Sequence, residues 1–99
     1  MLIVSGLFDI DPADRDRAAA VAAVMATATR EEPGCHSYAF YEDLECPGRF
    51  RVFEEWEDGA ALQSHFQTPH MATFREALGT VRITSRQIWR YEVGSKEAL

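Results

Sequence analysis

An α+β domain, with an antiparallel sheet and helices packed on one of its faces, is the fold class this 99-residue chain predicts. Three observations carry it. The chain opens on a β-branched and aromatic run, "LIVSGLFD", closed by a turn signal. A capped, alanine-rich stripe at helical spacing follows. In the second half, a hairpin around Pro47-Gly48 leads through a broken helix into a long alternating strand.

Residues 2 to 9 form the first strand, ended by "DIDPAD". Asp11 then caps a helix with Pro12 at its first position and Asp14 three residues after the cap, and Ala18, Val21, Ala22, Met25 and Ala28 recur on one face as far as about Arg30. A stripe of alanines lets this helix approach a sheet closely, and "EEPG" stops it. Two strands follow, Cys35 to about Leu44 and Phe50 to Glu57, with turn residues between them. Tyr38 and Phe40 fall on one face and Ala39 and Tyr41 on the other, so neither face is cleanly polar. Asp58 caps a short helix carrying Leu62 and Phe66, and Thr68 caps another that starts at Pro69, carries Met71, Phe74 and Leu78, and ends at Gly79. "TVRITSRQIWRYEV" alternates in the β manner, and "GSKEAL" is a polar tail. The order βαββαβ is the ferredoxin-like split arrangement, in a single domain over residues 1–99 with its core in about 2–93.

That arrangement leaves one sheet face without helices. A 99-residue chain has a thin core, so a second copy covering this face, a homodimer, is the expected partner. A net charge of -6 with no basic run repels a phosphate backbone and argues against nucleic acid. The apolar N-terminal run is too short for a membrane span or a signal core and lacks the flanks of either, which leads us to expect no membrane partner and a cytoplasmic location. Cys35 and Cys46, about ten residues apart at ~3.3 Å each across a strand and turn, are expected to stay free thiols.

Several polar residues occupy apolar stripes. Leu62, His65 and Phe66 share i, i+3, i+4 spacing, and Met71, Phe74, Arg75 and Leu78 share i, i+3, i+4, i+7 spacing, so His65 and Arg75 are candidates for a pocket lining. The structural alternatives are a satisfied core histidine and an arginine whose stem lies along apolar surface with its head in water. His70, at the second position of its helix, can meet free backbone groups there. Trp56 ends a strand, where a core role competes with a site role, and His36 follows a turn and belongs on the surface. His65 and His70 lie five positions apart across a helix break with no acidic residue on their stripe, which disfavours a metal, and no phosphate loop or dinucleotide fingerprint is present. No cofactor is expected.

With "EEPGCHSYAFYED" and "FRVFEEWEDGAALQSHFQTPHMATF" in view, the chain resembles the antibiotic biosynthesis monooxygenase family over about residues 2 to 93. These are small dimeric α/β-barrel proteins that include quinol monooxygenases. The resemblance implies oxidation of a phenol or quinol by O2 without metal, flavin or haem, with Trp56 and Arg75 at the positions of the family's implicated tryptophan and arginine. A strand asparagine of those relatives stands here as Val52 and a helix tyrosine as Leu62, so two polar groups of their pocket are missing and the resemblance does not carry over their particular substrate. The haem-degrading branch uses an Asn, Trp, His set where this chain offers Leu7, His65 and Arg75, which disfavours haem degradation. On this reading Arg75, Trp56 and His65 are catalytic, and Phe66, Met71, Phe74, Leu62 and Val52 surround a small aromatic substrate, with His70 as a further candidate. A non-catalytic dimer binding an aromatic ligand and an isomerase moving protons without oxygen are the rival readings.

Overall fold

The computed structural model describes all 99 residues. Its elements are β1 (Leu2–Ile10), a 3-10 turn (Pro12–Asp14), α1 (Arg15–Thr29), β2 (Cys35–Glu42), β3 (Arg49–Trp56), α2 (Gly59–His65), α3 (Pro69–Leu78) and β4 (Ile83–Glu92). The four strands form one sheet in the order β2-β3-β1-β4, with every neighbouring pair antiparallel. This is the α+β ferredoxin-like arrangement that the sequence predicts. No helix is long and apolar enough to cross a membrane.

The boundaries move where side chains find other partners. Asp11 accepts from the Ala13 amide and caps the 3-10 turn, while Asp14 accepts from the amide of Arg82 at 2.9 Å and ties the start of α1 to the approach to β4. The α helix therefore begins at Arg15, and its buried stripe is Ala18, Ala22, Met25, Ala26 and Thr29. Val21 and Ala28 are only half-buried. β2 stops at Glu42 because Asp43 turns the chain, accepting from the Glu45 amide while its own amide bonds the Arg49 carbonyl, and this leaves Leu44 wholly exposed. β4 starts two residues later than the alternation suggests. The Val81 amide is spent on the Leu78 carbonyl, and its side chain packs with Ile10, Ala18 and Phe50 in a small second core.

Pairing of Leu2 with Trp56 and of Gly6 with Val52 sets the β1–β3 register, and Phe40 opposite Val52 sets that of β2. Because side chains alternate, this register puts Val4, Phe8, Tyr38, Phe40, Val52, Glu54 and Trp56 on the face beneath the helices. The main core, Leu2, Val4, Met25, Ala26, Tyr38, Val52, Trp56 and Leu62, fills the space between them. On the opposite face Trp89, Tyr91 and Tyr41 are each more than half exposed.

Gly34 joins α1 to β2 with φ of +81°, and its carbonyl accepts from the Glu57 amide. A Cβ there would lie 2.7 Å from the Cβ of Ala61 in α2. Gly34→Ala combines a left-handed backbone penalty with overpacking against a helix, and it should lower the unfolding free energy by roughly 2–4 kcal/mol in a urea titration.

Candidate functional site

The site starts from the break between α2 and α3. Asp58 opens α2 by accepting from the Ala61 amide, and the helix runs for only two turns before Thr68 opens α3 by accepting from Met71. A helix this short ends directly over the sheet. Its last residue, His65, lies flat in the core with 2% of its surface exposed, its ring centre 4.9 Å from that of Trp56 and 5.7 Å from that of Tyr38.

Nδ1 of His65 lies 2.8 Å from Oε2 of Glu32, in the loop after α1, and Nε2 of His70 lies 2.6 Å from the same oxygen. A carboxylate only accepts, so each ring turns an N–H toward it and the other ring nitrogen keeps the lone pair. For His65 that nitrogen is Nε2. On β3, the Trp56 indole N–H donates to Oε1 of Glu54 at 2.9 Å. Burial raises the Glu54 carboxyl to about 7, against the pull of the Trp56 bond and with some help from the nearby charge of Glu32. Burial pushes the Tyr38 hydroxyl well above its ordinary range and the Cys35 thiol to about 11, so neither ionises near neutral pH.

A cavity of about 380 Å³ lies between α3 and the sheet. Val52, Phe66, Met71 and Phe74 line it, together with Tyr38, Glu54 and His65. Nε2 of His65, Oε2 of Glu54 and the Tyr38 hydroxyl make no hydrogen bond within the chain, and no buried side-chain polar atom lacks a partner. These three atoms therefore keep some accessible surface, and the residues that carry them line the cavity. The volume is in the range that accommodates a small organic ring. A wholly apolar crevice around Phe8, Ile10 and Phe50 holds only about 30 Å³, room for little more than one water-sized probe.

The antibiotic biosynthesis monooxygenase family model matches residues 1–77. The chain belongs to this family. An uncharacterized protein of Synechocystis sp. is 33% identical over 98 residues, 99% of this chain and 67% of that protein. The probable quinol monooxygenase YgiN of Escherichia coli is 37% identical over 65 residues, 58% of this chain and 62% of that protein, so the match spans less than two thirds of the latter's length. Among solved structures, a "putative antibiotic biosynthesis monooxygenase" from Deinococcus radiodurans superposes with a TM-score of 0.92 at 29% identity, covering 100% of this chain and 98% of that one.

Within this family fold, the structure rearranges the residues singled out in the sequence. His65 faces the cavity, as its stripe predicts, and so do Val52, Phe66, Met71 and Phe74. Trp56 and Leu62 do not line it: Trp56 is 0% exposed, its indole N–H is already spent on Glu54, and Leu62 points into the main core. Arg75 lies on the cavity wall but is not buried. Its neighbours Phe74 and Leu78 take the sheet-facing positions, which leaves the guanidinium at the rim, where Nη2 donates to the Phe66 carbonyl at the end of α2 at 3.1 Å. His70 does not cap α3, because Thr68 does, and its ring turns to Glu32 instead.

Four residues of the site were missing from the sequence reading. Glu54 and Tyr38 were within reach of it, since strand alternation places Glu54 on the face of Val52 and Trp56. Arg86, on β4 at the cavity wall, follows the same rule. Glu32 carried no such signal. It lies in a helix-stopping turn and meets His65 and His70 only through the fold. The stripe itself carries no acidic residue, but the fold supplies one from elsewhere: ligand-type atoms of Glu32, His65 and His70 all lie within 4.8 Å of one another.

Proposed function

We propose that this chain oxidises a small aromatic phenol or quinol with O2, with no metal, flavin or haem taking part in the step. The observation that carries the reading is Nε2 of His65, unpaired at the wall of an apolar cavity, with the opposite ring nitrogen held on Glu32. That pairing orients the ring and stabilises the imidazolium formed when Nε2 takes the phenolic proton. The phenolate then passes one electron to O2, and the two radicals combine to form a C–O bond. The resulting peroxide cleaves its O–O bond, leaving one oxygen on the ring as a quinone and releasing the other as water with the phenolic and ring hydrogens. Glu54, whose carboxyl is about half protonated at neutral pH, is placed to supply a proton to the departing oxygen. Arg75 and Arg86 put positive charge at the mouth of the cavity for the phenolate and the peroxide. Trp56 acts through Glu54, which its N–H holds in place.

Incubating the protein with a panel of phenols and quinols under air and under nitrogen tests the reading. We expect one O2 consumed per product, a product with one oxygen more and two hydrogens fewer, and ¹⁸O from labelled O2 in it. One observation also favours proton transfer without oxygen: a base and a half-protonated acid share the cavity. Equal turnover under nitrogen would select that isomerase reading, and saturable binding without turnover would select a ligand carrier.

The reading includes a homodimer through the helix-free sheet face, supported by the exposed rings of Trp89, Tyr91 and Tyr41 on it. Sedimentation velocity should return twice the 11.2 kDa chain mass for the wild type and the single mass for Trp89→Glu. A wild-type monomer at micromolar concentration would remove this part of the proposal.

A further inference from the structure

We propose that Glu32, His65 and His70 form a binding site for a divalent ion of the zinc type, and that occupancy switches off the proton acceptor facing the cavity. Two imidazole nitrogens and one carboxylate oxygen make a donor set suited to Zn²⁺ rather than to Mg²⁺ or Ca²⁺. The donors come from three separate places in the fold: the loop after α1, the end of α2 and the first turn of α3. Each already points at the same spot.

The geometry needs little adjustment. A tetrahedral ion with ligand bonds of about 2.0–2.1 Å separates its donor atoms by about 3.4 Å. The nitrogens now stand 2.8 and 2.6 Å from Oε2, so these two pairs must open by about 0.6 and 0.8 Å. His70 can provide that movement and an entry path. Its side chain is 26% exposed, whereas those of Glu32 and His65 are 10% and 2% exposed and stay fixed by the core. The carboxylate contributes one negative charge against two from the ion, and the remaining coordination position is left for water.

The effect on the cavity follows from proton bookkeeping on His65. In the ion-free state Nδ1 carries the proton and Nε2 the lone pair. An ion on Nδ1 needs a lone pair there, so the proton of the neutral ring moves to Nε2. No proton is released and none is gained, but the cavity now meets a donor where it had an acceptor. A phenol can no longer be deprotonated there. This consequence for turnover rests on the function proposed above, whereas the binding of the ion does not.

Calorimetric titration of the untagged protein with zinc chloride decides the first part. We expect one ion per chain, an affinity lowered by roughly 100-fold or more in His70→Ala and Glu32→Gln, since even outer-shell changes cost 10–100-fold, and no change in His36→Ala, whose ring is exposed on β2. Nitrogen-detected NMR of the histidine rings should show Nε2 of His65 pass from acceptor to N–H as zinc is added, a readout that does not depend on the variants folding. The absence of saturable wild-type binding, binding that survives in both cluster variants with the fold intact by circular dichroism, or an unchanged His65 Nε2 signal would overturn the site. In oxygen uptake, inhibition by zinc should follow the binding curve. Binding without inhibition would overturn the switch alone, and binding in a protein with no turnover on any substrate would overturn the proposed function and leave the ion site standing.

Discussion

His65→Asn lowers kcat in oxygen uptake by roughly 10²–10⁴-fold, the range associated with one positioned general base. Asparagine retains a side-chain N–H near the position of Nδ1 and so keeps a donor for Glu32, but nothing takes the place of Nε2 at the cavity wall. The variant separates two effects that alanine would merge. Losing ring contacts with Trp56, Tyr38 and Phe66 destabilises the fold, and losing Nε2 slows the reaction. Circular dichroism and urea titration measure the first, and kcat on folded protein measures the second. A folded His65→Asn with wild-type kcat would show that the ring is a packing residue and that the base lies elsewhere.

Glu54→Gln should change how stability depends on pH by about 2–3 kcal/mol between pH 5 and pH 8. The sign follows from linkage. Burial raises the Glu54 carboxyl from 4.5 to about 7 in the folded chain, so between those values the folded state holds a proton that the unfolded state has released. The group's contribution is fully present below pH 4.5, falls as pH rises, and is lost above about pH 7, where a bare carboxylate must stay in the core. At 1.36 kcal/mol per unit, most of that shift is expressed across the stated window. Glutamine cannot ionise, and its Oε1 still accepts from the Trp56 indole, so the variant gains on the wild type as pH rises. Urea titrations of both proteins at the two pH values measure the difference. Parallel pH dependence in the two would show that Glu54 is ionised and hydrated in the native state. In turnover, the same substitution should flatten the pH profile near 7 while leaving substrate affinity almost unchanged.

Stripe and alternation spoke for most of the site wall. His65, Phe66, Met71 and Phe74 sit where helical periodicity directs them, because a helix two or three turns long presents a fixed face to whatever it packs against, and Val52 sits at the wall as the family resemblance implies. Arg75 shows the limit of that rule. Four positions of a helical stripe do not face inward equally, and a charged head at the edge of the apolar arc reaches water at less cost than burial, so the arginine went to the rim. Trp56 shows another limit: alternation placed it on the correct face, but only the packing of α2 and the nearness of Glu54 decided that its N–H would serve a buried carboxylate and not the cavity.

By itself the sequence determined the order of elements, the caps of α2 and α3 and the face each strand turns inward, since these depend on neighbours a few residues apart: Asp58 and Thr68 reach amides three residues on, and Gly34 is needed where the backbone turns left-handed. The tertiary structure alone decided the chemistry. Glu32 stands 33 residues before His65 and 38 before His70, and no local pattern links a residue in a helix-stopping turn to two rings on either side of a helix break. They meet because α1 packs against β2 and α3 while α2 ends over β3 on the same sheet face, and burial there makes a shared carboxylate oxygen the natural partner for two ring N–H groups that have left water.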